Sequence, residues 1–413
     1  MLKGYKYSLV GYNDQKEINS EDSEIGMSNG IDKLGQLSQL CSMPIELTNS
    51  NLLQTQSFIG GVWTKGEYSF PVYNPSNAEV LCEVESIASA QIDRAIENGA
   101  NSFHDWKRTL AKNRSALLMK WFHLVQQNEK DLANILTLEQ GKPFGEALGE
   151  IRYGAGFIEW FAQEAVRVDG DILQPTHDNR RMHVIKQAVG LVGAITPWNF
   201  PNAMITRKIA PALAAGCAVV LKPSEETPLS ALALAYLAKE AGIPDGVFNV
   251  IVSQDPTPIG ERFTNHPDIR KLTFTGSTAV GRLLAQKASA NLKRISLELG
   301  GNAPFIVCED ANIEKAVETF IATKYRNNGQ TCICANRILL HSSVSKKFIE
   351  YATNRISEIR VGDGMKRGIN AGPLINSKAK NKVRSLLNNA LENGGKLEIG
   401  GEFLEGNFMQ PTL

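Results

Sequence analysis

A cysteine follows a polar turn in residues 325–334, YRNNGQTCIC. Because Cys332 follows a glycine-containing turn, its thiol can be both exposed and oriented. The reactive form of cysteine is the thiolate, which needs an electropositive and partly open environment. Arg326, six residues upstream, can help to supply that environment. We therefore interpret Cys332 as a candidate nucleophile, the alternative being a small buried residue at the start of a strand.

Two further residues have the types that would act beside a nucleophile. Glu298 lies in LELGG, between two leucines and before a glycine pair that lets the chain turn. It either faces solvent at a sheet edge or projects into a cleft, where a raised pKa would suit a general base. Asn199, in TPWNFP, either bonds to its own turn or donates its carboxamide to a developing oxyanion.

Small residues open a predicted helix in residues 275–281, TGSTAVG. Backbone N–H groups and the helix dipole at such a start can face a phosphate, although a simple turn and cap is the alternative. Lys222 and Glu225, in LKPSEE, can hydrogen-bond ribose hydroxyls or can form a solvated surface pair. Because a carboxylate that accepts from a ribose 2′-hydroxyl repels a 2′-phosphate, Glu225 favours NAD over NADP.

The elements that must position these residues alternate between strand and helix from residue 191 onward. Short, continuous apolar strands separated by helices indicate a parallel sheet covered on both faces, which places the chain in the α/β class. Ligands of such sheets bind outside the carboxyl ends of the strands, and the candidate residues follow strands. We predict strands at 191–195, 218–221, 248–252, 271–274 and 294–299, and helices at 203–215, 228–241, 277–288, 311–325, 344–359 and 376–392, with Asp310 as the N-cap of the fourth helix.

Composition excludes several functional classes. The chain has 413 residues, 43% hydrophobic and 21% charged, which predicts a globular protein of two or three domains. A net charge of +1 gives no general attraction to nucleic acid or to an anionic membrane. Neither a long apolar run nor a secretory signal is evident, so we expect a cytoplasmic protein. Six cysteines without framework spacing indicate free thiols, and scattered histidines predict no metal site.

Five segments together resemble the motifs of the aldehyde dehydrogenase superfamily, and within it the succinate-semialdehyde dehydrogenases: TPWNFP, LKPSEETP, FTGST, LELGGNAP and NNGQTCICANR. The resemblance runs from about residue 57 to the last residue. It implies a Rossmann-type NAD domain, an α/β catalytic domain and oligomerisation strands. The implied activity is NAD(P)-dependent oxidation of succinate semialdehyde to succinate, through a thiohemiacetal and a thioester on Cys332. A related substrate such as glutarate semialdehyde is the alternative.

The resemblance also implies roles for individual residues. Asn199 and the Cys332 backbone N–H would hold the oxyanion, and Glu298 would activate the water that releases the acid. Lys208 matches a supporting lysine near the active site. The residues implied in cofactor binding are Thr196, Trp198, Lys222, Ser224, Glu225, Gly276 and Ser277.

Substrate choice and redox control are implied at three further positions. Arg207 and Arg326 match arginines that bind a substrate carboxylate, for which a bidentate guanidinium is the natural partner. Structural ion pairs are the alternative for both. Cys334 is either a redox partner that oxidises together with Cys332 or an inert strand residue.

The resemblance further implies a domain organisation. It divides the chain into an NAD-binding domain of residues 51–177 and 190–300, an oligomerisation strand at 178–189 and a partial catalytic domain at 301–413. The polar composition of residues 1–50 separately predicts a disordered or loosely attached leader. Segment 180–190 is expected to pair with another subunit or with a distant part of the chain. Because members of the superfamily continue past the position of residue 413, we weigh two alternatives. One is a semialdehyde dehydrogenase that forms a homo-oligomer when complete, and the other is an inactive chain that at most binds nucleotide or associates with full-length subunits.

Overall fold

The computed structural model describes residue 41 and residues 46–413. That part of the chain contains thirteen strands and eleven α-helices. The strands are β1 (Ser57–Ile59), β2 (Val62–Thr64), β3 (Tyr68–Tyr73), β4 (Val80–Ser86), β5 (Asp171–Leu173), β6 (Met182–Val184), β7 (Leu191–Ile195), β8 (Ala218–Lys222), β9 (Phe248–Val250), β10 (Ile269–Gly276), β11 (Arg294–Leu299), β12 (Ala303–Val307) and β13 (Ala335–Leu340). The helices are α1 (Ser89–Trp106), α2 (Ala111–Gln127), α3 (Glu129–Gln140), α4 (Phe144–Glu164), α5 (Ala203–Ala214), α6 (Pro228–Glu240), α7 (Thr257–Asn265), α8 (Thr278–Ser289), α9 (Ile313–Lys324), α10 (Ser342–Ser357) and α11 (Ser377–Glu392).

A seven-stranded sheet in the order β11-β10-β7-β8-β9-β1-β2 forms the centre of the fold. Its first five strands are parallel, and β1 and β2 add an antiparallel edge. Strand β8 is buried along its whole length, because helices cover both faces of the sheet. One face packs Val192 and Val219 against α2–α6, and the other packs Leu191 and Leu272 against α1, α7 and α8. The predicted α/β class with a parallel sheet is confirmed.

A smaller unit follows the sheet and carries the polar turn of Cys332. Strands β12 and β13 pair in parallel, and α9 and α10 cover one face of this pair. Phe320 lies at the centre of that packing, with the ring of Phe348 5.8 Å away and the ring of Tyr325 5.9 Å away. The aromatic cluster therefore fixes the end of α9, where the polar turn begins.

The structure differs from the sequence-based expectations at two local points. Helix α9 begins two residues later than expected, because Asn312, and not Asp310, is its N-cap and accepts a hydrogen bond from the Lys315 N–H at 3.0 Å. Strand β6 pairs with β5, only a few residues upstream, in a hairpin that the sequence pattern did not indicate, and pairing of this segment with another subunit stays a prediction. All six residues of this hairpin are exposed.

The start of the chain also differs in part from the expected leader. Residues 1–40 and 42–45 lie outside the described residues, but 46–50 belong to the packed structure. The backbone N–H groups of Thr48 and Asn49 donate to the Asp131 carboxylate at 3.2 and 2.8 Å. Leu52 is fully buried immediately afterwards. The packed chain therefore begins before residue 51.

One pair of cysteines contradicts the expectation of free thiols. Residue 41 forms an isolated antiparallel bridge with residue 82 of β4, and Cys41 and Cys82 are joined by a disulfide. The fold brings these residues together although 41 positions separate them, which spacing along the sequence does not reveal. Cys217, Cys308, Cys332 and Cys334 are free.

Candidate active site

The turn that carries Cys332 has an unusual backbone conformation. After α9 ends, Asn327 and Asn328 adopt left-handed φ angles of 51° and 50°, and Gly329 follows with φ 77°. Asparagine tolerates this region better than most residues, because its short polar side chain bonds locally. The turn reverses the chain and leaves Cys332 exposed with a free thiol.

The buried side chain of Asn327 anchors this turn. Its backbone N–H donates to Glu146 Oε2 at 2.8 Å, and its Oδ1 accepts from Gln140 Nε2 at 2.9 Å. Its Nδ2 donates to the carbonyl of Asn199 at 3.0 Å. Three separate segments therefore hold the turn in one conformation.

The three residues predicted to be catalytic come from segments that meet at the turn. Asn199 Nδ2 donates to the Gln330 carbonyl at 2.9 Å, two residues before Cys332. The turn that follows β11 also approaches, since a Cβ on Gly301 would lie 3.3 Å from the Cys332 carbonyl oxygen. Glu298 is three residues before that contact. The loop after β7, the end of β11 and the nucleophile turn are thus adjacent.

Glu298 is exposed on the edge strand β11 and lines a cleft of about 430 Å³, which Cys332 and Asn199 do not line, so both of its sequence-based interpretations stay open. Lys208 lines the same cleft, and its Nζ donates to Thr273 Oγ1 at 3.0 Å. Burial lowers the pKa of Lys208 to about 8, although the Glu298 carboxylate opposes this shift. Near neutral pH the cleft therefore holds a lysine whose protonation is easily changed.

The two arginines lie on opposite parts of one apolar cluster. The Arg207 guanidinium is 5.0 Å from the centroid of the Phe157 ring, and its Nη1 is 3.7 Å from the sulfur of Met204. The Arg326 guanidinium is 4.8 Å from the centroid of Phe200, which packs with Met204. Across the described part of the chain neither arginine forms an ion pair, so the structural-ion-pair alternative finds no support there.

The carboxyl edge of the main sheet carries groups that fit a dinucleotide. Lys222, buried at the end of β8, donates to Glu225 Oε2 at 2.7 Å. The hydroxyls of Thr196 and Thr275, after β7 and in β10, are buried without a hydrogen-bond partner. Buried hydroxyls are normally hydrogen-bonded, so two unpartnered ones at a ligand-binding edge fit polar groups of a cofactor.

The start of α8 fits a phosphate of the same molecule. Ser277 is the N-cap and its Oγ accepts from the Val280 N–H at 3.3 Å, as the capping interpretation expected. The first turn is nevertheless exposed, so other N–H groups are free to meet an anion. A Cβ on Gly276 would lie 2.4 Å from the Phe274 ring, which explains the glycine.

Two other residues predicted to bind the cofactor lie on the same sheet edge. Trp198 is half-buried in the loop after β7. Ser224 is buried after β8, and its Oγ accepts from the Glu226 N–H at 3.3 Å. Both therefore border the region between Thr196 and Lys222.

Cys334 is buried, whereas Cys332 is exposed. Cys334 is 1% exposed, and its sulfur lies 2.6 Å from Thr331 Oγ1 and 3.2 Å from the Gly329 carbonyl. The thiol of Cys332 is on the exposed side of the turn. A disulfide between these two cysteines would require the turn to rearrange, and this redox pairing stays a prediction.

Sequence reasoning missed a buried ion pair beside the site. Lys142 Nζ lies 2.6 Å from Glu150 Oε2, and both side chains are 1% exposed. The same ammonium donates to the Asn199 carbonyl at 2.8 Å. The available signal was Glu150 itself, because a carboxylate within the largely apolar segment 146–165 needs a partner when that segment packs in the core.

Comparison with known proteins gives a consistent result. The model of the aldehyde dehydrogenase family matches residues 63–413. Glutarate-semialdehyde dehydrogenase of Pseudomonas putida is 47% identical over 89% of this chain and 77% of its own, and the NADP(+) succinate-semialdehyde dehydrogenase GabD of Escherichia coli is 47% identical over the same shares. The crystal structure of succinate-semialdehyde dehydrogenase from Burkholderia pseudomallei superposes with a TM-score of 0.88 at 48% identity, covering 89% of this chain and 77% of that one. The chain therefore belongs to the aldehyde dehydrogenase family of NAD(P)-dependent oxidoreductases.

Proposed function

We propose that this protein oxidises succinate semialdehyde to succinate, with Cys332 as the nucleophile. The observation that carries the proposal is the pair of guanidiniums, Arg207 and Arg326, on the apolar cluster of Phe200 and Met204 next to the nucleophile turn. An aldehyde with a carboxylate at its other end matches this arrangement. Its carboxylate binds the guanidiniums, while its short methylene chain lies on the apolar surface.

The chemistry follows from the groups around Cys332. The thiolate adds to the aldehyde carbon, and the Asn199 carboxamide with the Cys332 N–H stabilises the oxyanion that forms. When bound, the dinucleotide supplies the hydride acceptor. Glu298 takes a proton from the water that releases the acid from Cys332, and Lys208 lines the same cleft as Glu298.

NAD is the proposed cofactor, with NADP as the alternative. The Lys222–Glu225 pair supports NAD, because the carboxylate accepts from a ribose 2′-hydroxyl and repels a 2′-phosphate. NADP(+) is part of the name of the Escherichia coli relative. The ratio of kcat/KM for the two dinucleotides decides between them.

A second candidate substrate is glutarate semialdehyde, which is one methylene longer. It is favoured by the Pseudomonas putida relative, whose name carries that substrate. Both aldehydes present the same carboxylate to the arginines. Discrimination between the two aldehydes therefore depends on how the apolar cluster accommodates one additional methylene. One methylene in an apolar pocket changes kcat/KM by only about 10- to 200-fold.

Three other expectations keep the status of predictions. None of the helices in the described residues is long and apolar enough to span a membrane. We propose a cytoplasmic location from the sequence and a homo-oligomer from the resemblance. The chain spans about three quarters of the length of its relatives, and among the described residues nothing favours the alternative of an inactive nucleotide-binding chain.

The substrate proposal is tested by the double substitution Arg207→Ala, Arg326→Ala. Each lost charge-assisted hydrogen bond costs about 1.5–3 kcal/mol, so we expect the KM for succinate semialdehyde to rise roughly 100-fold or more. The KM for butanal, which lacks the carboxylate, should change less than about threefold. Arg108→Ala, an exposed arginine on the loop after α1, is the control. Equal changes in the KM of both aldehydes would show that the two arginines do not recognise the substrate carboxylate.

A further inference from the structure

The loop between β7 and α5, residues 196–202, is held by a buried cation. Lys142 is 2% exposed and follows Gly141, whose φ of 94° ends α3. Its Nζ lies 3.9 Å from the centroid of the Phe200 ring and donates to the Asn199 carbonyl. A buried ammonium is costly, so its presence at this position needs an explanation in structure or function.

The contacts of Asn199 suggest that explanation. Its carbonyl accepts two hydrogen bonds, from Lys142 Nζ at 2.8 Å and from Asn327 Nδ2 at 3.0 Å. Both lone pairs of this oxygen are therefore engaged. Its carboxamide meanwhile donates to the Gln330 carbonyl in the turn that carries Cys332. Because two donors fix the backbone of Asn199, the direction in which its side chain leaves the backbone is fixed as well.

The counter-ion of Lys142 holds the other end of the same loop. Glu150 Oε1 accepts from the backbone N–H groups of Asn202 and Ala203 at 2.9 and 3.1 Å, where α5 begins. Its Oε2 pairs with Lys142. One buried ion pair thus fixes both ends of the segment from Asn199 to Ala203. An oxyanion donor requires such fixation, because it must be in place before the charge develops.

We propose that Lys142 is a positioning residue that acts through the Asn199 carbonyl and keeps the Asn199 carboxamide aimed at the oxyanion formed on Cys332. This inference rests on the proposed function, because it takes Asn199 as an oxyanion donor. Lys142 itself contacts neither substrate nor cofactor in this account. Its effect on catalysis passes entirely through another side chain.

The test is a double-mutant cycle with a neutral replacement of the ion pair. Removing Lys142 alone would leave Glu150 buried and unpaired, which is strongly destabilising. The variant is therefore Lys142→Met, Glu150→Gln, in which the glutamine oxygen can still accept from the start of α5. The ion-pair replacement is made both in the wild type and in Asn199→Ala, which keeps the backbone carbonyl of residue 199 but lacks the carboxamide. Each product is compared with the same protein that retains the ion pair.

We expect kcat to fall roughly 10- to 100-fold in the wild-type background, and less than about threefold in the Asn199→Ala background. The rate at which iodoacetamide alkylates Cys332 should stay within about twofold of the parent, because this reaction forms no oxyanion. Equal losses of kcat in both backgrounds, or no loss in either, would overturn the assignment of Lys142. If Asn199→Ala alone leaves kcat unchanged, the oxyanion role in the proposed function fails and this inference fails with it.

A second variant tests the same carbonyl without touching the ion pair. Asn327→Gly removes the other donor to Asn199, and glycine readily adopts the left-handed φ of 51° at this position. We expect the same pattern, a loss of kcat only where the Asn199 carboxamide is present. This arm decides the question if the ion-pair variant does not fold. An equal loss in both backgrounds would show that the network is merely structural.

Discussion

The protonation of Lys208 depends on its burial and on the nearby charge of Glu298. Burial lowers its pKa to about 8 from the ordinary value of 10.5, and the negative charge of Glu298 limits this shift. The lysine is therefore charged below pH 8 and neutral above it. Removing the Glu298 charge withdraws the effect that favours the charged form, so the pKa should fall further.

Competitive labelling with acetic anhydride at a series of pH values measures this titration. We expect Lys208 to reach half-maximal labelling near pH 8 in the wild type and at a lower pH in Glu298→Gln. Glu261→Gln, which removes a carboxylate paired with Lys287, should leave the Lys208 midpoint unchanged. If Lys208 had the same labelling midpoint in the wild type and in Glu298→Gln, then Lys208 and Glu298 would not interact across the cleft.

Some site residues could be predicted singly and others only from the folded chain. Asn199 follows β7, Glu298 lies near the end of β11 and Cys332 follows a turn, so their positions near a ligand-binding edge could be predicted from the strand pattern. Lys142 carries no such signal, because its role depends on a carbonyl 57 residues away. Thr275 was likewise not singled out, although its buried hydroxyl lacks a partner.

Helix α6 illustrates how a buried carboxylate can hold an element in place. Glu139, at the end of α3, accepts hydrogen bonds from the backbone N–H groups of Leu229 and Ser230 at 2.8 and 2.9 Å. These groups belong to the first turn of α6, where N–H groups have no partner within the helix. Burial raises the pKa of Glu139 to about 8, against the effect of these hydrogen bonds.

The raised pKa makes the stability of the fold depend on pH. Between pH 4.5 and 8 the folded protein retains a proton on Glu139 that the unfolded chain releases, so the free energy of unfolding falls as pH rises through this range. Glu139→Gln removes this titration. We therefore expect urea unfolding to show that, between pH 5 and pH 8, the free energy of unfolding of the variant rises by a few kcal/mol relative to that of the wild type.

The control for this measurement is Glu97→Gln, which neutralises an exposed carboxylate of α1. Its stability relative to the wild type should not follow the trend seen for Glu139→Gln. A difference between wild type and Glu139→Gln that stays constant over the whole pH range would contradict the buried and protonated carboxyl group.

The main elements follow from local sequence pattern, whereas their ends and the hairpin do not. Strand β8 and helix α6 are apolar and buried over most of their length, as expected of elements in a parallel sheet covered on both faces. The N-cap of α9 was misplaced because Asp310 and Asn312 are both good caps, and only the side-chain contact distinguishes them. The partner of β6 was missed because β5 has three residues, too few for a clear period.

The disulfide between Cys41 and Cys82 affects the stability of the whole chain. It closes a loop over a sequence separation of 41 residues, which by chain entropy stabilises the folded state by about 4 kcal/mol at most. Six cysteines with one disulfide predict four reactive thiols in the denatured, unreduced protein and six after reduction.

Thiol titration of the denatured protein, with and without reductant, checks this count, and urea unfolding should show a lower midpoint for the reduced protein. Cys82→Ala should reproduce the lower midpoint without reductant, whereas Cys308→Ser, at an exposed free thiol, should not. Six thiols before reduction would restore the sequence-based expectation of free cysteines throughout.

The molecule as a whole places the proposed dinucleotide edge, the proposed oxyanion donor Asn199 and the exposed thiol of Cys332 around one loop and one turn. The most direct test is rapid quenching of the protein during turnover of succinate semialdehyde with NAD, followed by peptide mass spectrometry. We predict a succinyl thioester on Cys332, with no adduct and no aldehyde oxidation in Cys332→Ser. An adduct on another residue, or undiminished oxidation by Cys332→Ser, would contradict it.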